Sequence, residues 1–302
     1  MKKTLFIALL FWMPIPVLKA QYPYVTQYAK NYFLVNPAAA GLDSSSQMVI
    51  WNRNNYSGSQ RVAFSSLQMA FATPIQDYNA ALIVKLSYDA SFYFRNVTSL
   101  SGAYVYNFPF TENTDVRVAM GAGIHRISDS IFTGTLAGNV VNYLPFYDFG
   151  MLFDLEHFVF GMSAFSANSP RSRDPLRTVY VNRVISVMAK YKYQYSDLIL
   201  LMPSIFIRND GYRGSISLEA KAEAELWDTF LLGVGYRFSR FGQLRINPPL
   251  GFPFIRQPDY ITIEAGGYFS NLMYFVISYD APVNTNIYGA PSLIEGTIGL
   301  GL

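Results

Sequence analysis

Along most of the chain the hydrophobic residues recur at every second position. Val116, Val118, Met120, Ala122 and Ile124 alternate with Arg117, Ala119, Gly121, Gly123 and His125. Tyr147, Phe149, Met151, Phe153 and Leu155 alternate with Asp148, Gly150, Leu152, Asp154 and Glu156. Ile185, Val187, Ala189, Tyr191, Tyr193 and Tyr195 keep the same step, with Ser186, Lys190, Lys192 and Gln194 between them. Ile216, Leu218, Ala220, Ala222 and Ala224 oppose Ser215, Ser217, Glu219, Lys221 and Glu223. Successive strand side chains point to opposite faces, so each segment carries one oily and one polar face. A soluble sandwich or barrel would also alternate. Two features favour a membrane barrel: the oily face is aromatic near its ends, as an interfacial girdle requires, and the other face is small or polar, as a lumen allows.

The pattern predicts strands near 46–55, 62–73, 79–88, 96–107, 115–126, 147–157, 158–167, 184–195, 198–209, 213–225, 227–238, 260–269, 271–280 and 292–302. That is about fourteen, an even number as bacterial barrels normally show. Tight turns are expected at 157–158, 196–197, 226–227 and 270, and longer connectors at 127–146, 168–183, 239–259 and 281–291. Short periplasmic turns opposite long outer loops are the barrel pattern, and both termini then fall on the periplasmic side. The fold class is all-β: a transmembrane antiparallel outer-membrane β-barrel with a short periplasmic N-terminal segment. Beyond residue 20 no apolar run approaches the ~18 residues of a spanning helix.

Composition sharpens this picture. The 302 residues are 51% hydrophobic and only 14% charged, whereas ordinary soluble chains run to roughly 25% charged. The absence of cysteine excludes disulfide scaffolds and thiolate chemistry. Lys2 and Lys3 precede an apolar run from Thr4 to Trp12, then Pro14, Pro16 and Ala20, which is the order of a secretory signal peptide with cleavage after Ala20. Without Lys2, Lys3 and Lys19 the formal charge of +3 falls near zero, so no nucleic-acid partner is expected. The expected organisation is a signal peptide at 1–20, a periplasmic N-terminal segment or plug at 21–45, and the barrel at 46–302. The expected location is the cell outer membrane.

Gln27-Tyr28, then Asn36-Pro37-Ala38-Ala39-Ala40-Gly41, then Trp51-Asn52-Arg53-Asn54-Asn55-Tyr56-Ser57-Gly58 follow in order. This succession resembles the PorP/SprF family of outer-membrane proteins, whose first-strand motif is Arg-x-x-Trp-x-Gly. Here Arg53 and Gly58 match that motif and Tyr56 replaces its tryptophan. Leu226-Trp227, Ser278-Tyr279-Asp280 and Ile294-Glu295 extend the likeness along the chain, while Leu302 stands where a terminal aromatic is usual. The resemblance implies a barrel of the type IX secretion and gliding apparatus. Its implied partners are periplasmic ring lipoprotein and other secretion components, or a large secreted adhesin.

Several residues are candidates on their own chemistry. Asn36-Pro37 ahead of Gly41 combines a fixed φ, an extended residue before proline and a residue that tolerates φ > 0; it suits a docking loop or plug, or a simple lead-in to the first strand. Arg53 on the lumen face would pair with carboxylates such as Glu219, Glu223 or Glu264; at the outer rim it would be solvated and weak. Asn36, Pro37, Gly41, Arg53, Tyr56 and Gly58 are therefore the partner-docking candidates. In 239–259, Phe252, Phe254 and Ile255 among four prolines are candidates for an outer-loop contact. Arg171, Arg173, Arg177 and Arg183 make the 168–183 connector basic, most simply as a solvated loop, with contact to lipopolysaccharide phosphates or an acidic exported protein as the alternative.

Catalytic, cofactor and metal signals are poor. His125 and His157 are the only histidines and neither lies in a paired metal-ligand motif. Gly161-Met162-Ser163 begins like a nucleophile elbow, but Phe165 occupies the second glycine position. The expectation is a non-enzymatic barrel without a cofactor, with a passive channel or small-molecule transporter as the alternative. Charged residues on the presumed lumen face, among them Arg117, Lys190, Lys192, Glu219, Lys221, Glu223 and Arg237, would pair across the interior and fill it.

Overall fold

The computed structural model describes residues 25–42, 45–56, 65–75, 78–91, 95–111, 114–133, 136–171, 181–209, 216–240, 259–270, 272–283 and 292–302. Expectations on Gly58, Phe252, Phe254 and Ile255, on the side chain of Tyr56, and on the signal peptide lie outside the described residues. The first half of the sheet comprises β1 (Gln47–Tyr56), β2 (Ser65–Ile75), β3 (Ala80–Ser91), β4 (Arg95–Thr111), β5 (Thr114–Thr133), β6 (Leu136–Leu155) and β7 (Phe158–Phe165). The second comprises β8 (Val184–Tyr191), β9 (Tyr193–Ser196), β10 (Ile199–Asn209), β11 (Ile216–Leu226), β12 (Phe230–Arg240), β13 (Tyr260–Ser270), β14 (Met273–Pro282) and β15 (Ser292–Gly301). Each strand pairs antiparallel with its neighbour, and β15 returns to pair with β1 from Gln47↔Gly301 to Tyr56↔Ser292. The sheet is closed, so no edge is left to face lipid. β8 and β9 lie end to end along β10, interrupted at Lys192; together they make one crossing, and the barrel has fourteen.

The in–out alternation follows the expected faces. On β11, Glu219, Lys221 and Glu223 are buried, while Ile216 and Leu218 are 48% and 42% exposed toward the lipid side. On β6, Asp148 is buried while Tyr147 and Phe149 face out. One expected connector is strand instead. Residues 127–146 are not a long loop, because β5 and β6 stay paired from Thr114↔Leu155 to Thr133↔Leu136. In this part the inward face is mixed, with Ile127 and Leu144 beside Asn142. Ile127 and Leu144 form a cluster with Val97 and with Val181 of the following connector, so the polar-inside signal fades although the strands continue. The ends of the 168–183 connector fold inward too, with Pro170, Val181 and Asn182 buried.

The chain ahead of β1 occupies the lumen. It contains one helical turn, α1 (Tyr32–Val35), and a 3-10 turn at Pro37–Ala39. Val25, Tyr28, Leu34, Ala38 and Ala40 are at most 1% exposed. They share an apolar cluster with Trp51, Leu152 and Phe206 from the wall. Such a large aromatic, fully buried, is worth ~1.5–3 kcal/mol, and the stacking of Tyr28 on Phe206, with centroids 4.5 Å apart, adds ~0.5–1.5 kcal/mol.

Candidate functional site, a plugged lumen

The Asn36–Gly41 motif is a wedge against the wall. Asn36 is extended (φ −148°, ψ 111°), as the residue before proline prefers, and its Oδ1 accepts from the Ala38 N–H at 3.0 Å. Pro37 opens the 3-10 turn, where a missing N–H costs nothing. The Asn36 Nδ2 donates to the Met151 carbonyl at 2.9 Å. Two wall glycines make room for this amide: a Cβ on Gly150 would stand 2.4 Å from Asn36 Oδ1, and one on Gly161 would stand 2.7 Å from Nδ2. Gly41 has φ +75°, and a Cβ there would lie 2.8 Å from the Cβ of Ala81. Asn36 and Pro37 are therefore buried against β6 and β7 and present no surface at the barrel mouth.

The other half of the plug is held at the opposite wall. Thr26 N–H donates to both Glu295 oxygens, at 2.9 and 3.1 Å, and its hydroxyl reaches Oε1 at 2.6 Å. Gln27 Nε2 reaches Ser278 Oγ at 3.2 Å, and Thr297 hydrogen-bonds both Gln27 and Asn31. Tyr274 OH donates to Asn31 Oδ1 at 2.7 Å. Wall cations donate to plug carbonyls: Lys221 to Thr26 at 2.5 Å, Lys190 to Ala29 at 2.9 Å and Arg117 to Ala40 at 3.4 Å. Burial and the nearby Glu219 push the Tyr28 phenol above its ordinary range.

Arg53 does face the lumen, and the carboxylate across the strand pairing from it is Glu295 rather than Glu223 or Glu264. Its Nε lies 3.5 Å from Glu295 Oε1, the residue directly across the β1–β15 pairing. Glu223 and Glu264 instead engage Lys221, at 3.7 and 2.7 Å. The difference is one of register: face can be read from alternation, whereas the cross-strand neighbour depends on how the barrel closes. Arg237 pairs with Asp280, Lys190 lies 3.9 Å from Glu223, and of the expected lumen charges only Lys192, at the strand interruption, is partly exposed. Thr26, Asn31 and Thr297 carry no local sequence signal of a site, and Glu295 carries only the family likeness of Ile294-Glu295. A period-two polar run Glu295, Thr297 on the last strand is the feature that could have marked them.

His125, buried on β5, stands between Ser99 Oγ at 2.6 Å and Ser166 Oγ at 2.8 Å. This contact set has the outline of a hydrolase relay. Ser166 is fully buried, however, and its N–H is taken by Asp148 Oδ1 at 2.9 Å, while the next N–H, of Ala167, is taken by the Tyr147 carbonyl at 2.8 Å. Neither amide is left to stabilise an oxyanion. Ser163, in the elbow-like triplet, instead donates to the Val35 carbonyl of the plug at 2.6 Å.

Solved barrels share this architecture at low identity. The toluene transporter TodX of Pseudomonas putida aligns with a TM-score of 0.54 at 10% identity, over 94% of this chain and 95% of its own. The Ralstonia pickettii toluene transporter TbuX gives 0.52 at 8%, over 89% and 92%, and a FadL homologue of Pseudomonas aeruginosa gives 0.51 at 12%, over 95% and 98%. At these identities the likeness shows the fold alone. No curated protein matches the chain. The family described as "Type IX secretion system membrane protein PorP/SprF" matches residues 17–291. With a closed fourteen-crossing barrel and a match along nearly the whole sequence, the chain belongs to the PorP/SprF family of type IX secretion system outer-membrane β-barrels.

Proposed function

We propose that the protein is a non-enzymatic, plugged barrel of the type IX secretion and gliding apparatus. It docks on periplasmic machinery or assists the export and anchoring of a particular surface protein. The observation that carries this reading is the lumen itself, which is occupied by residues 25–42 held through buried hydrogen bonds and ion pairs. A barrel filled in this way is suited to a structural or docking task rather than to free diffusion. Incorporated into planar bilayers, the full-length protein is expected to conduct little or nothing, and cross-linking in native membranes is expected to recover type IX components.

The alternative, a passive channel or small-molecule transporter, draws on one feature. A cavity of about 380 Å³ lies beside the plug, lined by Lys30, Tyr32, Phe33, Lys192, Met202 and Tyr274 among others. Large, stable conductance without recovery of secretion components would favour that alternative.

A further inference from the structure

The plug touches two opposite sides of the barrel, and one of them is the seam where the sheet closes. Glu295 on β15 sits at that seam, fully buried. Across the seam its carboxylate accepts from the Trp51 indole N–H at 3.1 Å and lies 3.5 Å from Arg53 Nε, both on β1. The same carboxylate receives the Thr26 N–H and hydroxyl. Gln27 and Asn31 bond to Ser278 and Thr297 on β14 and β15. The far end of the plug is fixed to β5, β6 and β7, through Arg117, Met151 and Ser163. In the strand order β6 and β7 lie half-way round the barrel from the seam.

We propose that the plug is a crossbar that locks the β1–β15 seam, with Glu295 as the positioning residue joining the two. β1 and β15 are the strands furthest apart in sequence, so their pairing closes the longest loop in the chain and carries the largest closure entropy. Pairing them brings Trp51, Arg53 and Glu295 together and so creates the acceptor for Thr26. The seated plug in turn excludes water from the Arg53–Glu295 pair, and an ion pair is stronger in a drier, lower-dielectric site. Coupling between two such events is reciprocal: whatever loosens the plug loosens the seam. The inference rests on the lumen geometry and is independent of the secretion role.

Lys30 makes this testable, because it is the only Lys or Arg between Val25 and Leu42. Trypsin cleavage at Lys30 of the full-length protein in detergent therefore reports release of the plug. The temperature at which the folded band disappears in heat-modifiability gels reports the barrel. Thr26→Ala and Glu295→Gln are expected to speed cleavage at Lys30 roughly tenfold, since proteolysis tracks the open population, and to lower the unfolding temperature. Asn36→Ala, at the far wall, removes no bond to Glu295 or to β14 and β15 and is expected to leave both cleavage at Lys30 and the unfolding temperature near those of the wild type. If Thr26→Ala leaves the unfolding temperature unchanged, or Asn36→Ala lowers it equally, the plug does not act on the seam. Resistance of Lys30 in both Thr26→Ala and Glu295→Gln would also overturn the proposal. Should Glu295→Gln fail to fold, Thr26→Ala decides alone, because it leaves every barrel residue in place.

Discussion

Gly150 and Gly296 are chemically identical residues with opposite surroundings. At Gly150 an added Cβ would meet the Asn36 amide at 2.4 Å and the Ala38 nitrogen at 2.9 Å, whereas at Gly296 nothing lies within 4 Å. Gly150→Ala is therefore expected to cost ~1–3 kcal/mol, the usual penalty of overpacking, and to expel the Asn36 side chain. Gly296→Ala should stay within about 0.5 kcal/mol of the wild type, as an unobstructed surface change does. Urea unfolding of the two variants in lipid vesicles measures the difference. Equal stabilities would mean that Asn36 does not occupy the space the two wall glycines leave. The residue scale also sets His125 between serine partners on both ring nitrogens, with the Ser166 and Ala167 amides already engaged.

At the scale of the strand, the outer face is a solvent boundary whose cost varies with depth. Val234, in the middle of β12, is 56% exposed on the outer face, and Tyr195, beside the turn that ends β9, is 67% exposed. Val234→Lys is expected to destabilise the bilayer-inserted barrel by ~2–4 kcal/mol, the cost near a membrane midplane, and Tyr195→Lys by ~0–1 kcal/mol, as at an interface. Reversible folding into vesicles distinguishes these values, and equal costs would contradict the placement of the two residues at different depths. The strands also explain why 127–146 is paired although its alternation is weak. Period two is visible only while the two faces differ in polarity, and along this part of β5 and β6 the inward Ile127 and Leu144 weaken the contrast.

For the whole molecule, barrel and plug are distinct energetic parts. Deletion of residues 22–40 is expected to leave a protein that partitions with the outer membrane, remains heat-modifiable with a strand-dominated circular dichroism spectrum, and unfolds at a lower temperature. The same variant is expected to conduct ions in planar bilayers and to lose co-purifying secretion components together with surface display of its cargo. Retention of those components and of export at wild-type levels would remove the docking role from the N-terminal segment and leave it a purely structural filler.

Alternation along the chain was enough to establish an all-β membrane barrel of about fourteen strands, because side-chain direction in a strand depends only on position parity, while Arg53 stayed open between lumen and outer rim. The order Gln27-Tyr28, Asn36–Gly41 and Arg53 was enough to mark the family, because those residues are local in sequence. Tertiary structure alone decided what they do. Arg53 meets Glu295 because β1 closes on the last strand, a contact spanning nearly the whole chain that no local pattern encodes. The Asn36–Gly41 motif faces the wall because Gly150 and Gly161, more than a hundred positions away, leave room for its amide. The lumen is occupied because polar residues ahead of β1 satisfy inward charges on the distant strands β11 and β15, and that satisfaction exists only once the sheet has closed around them.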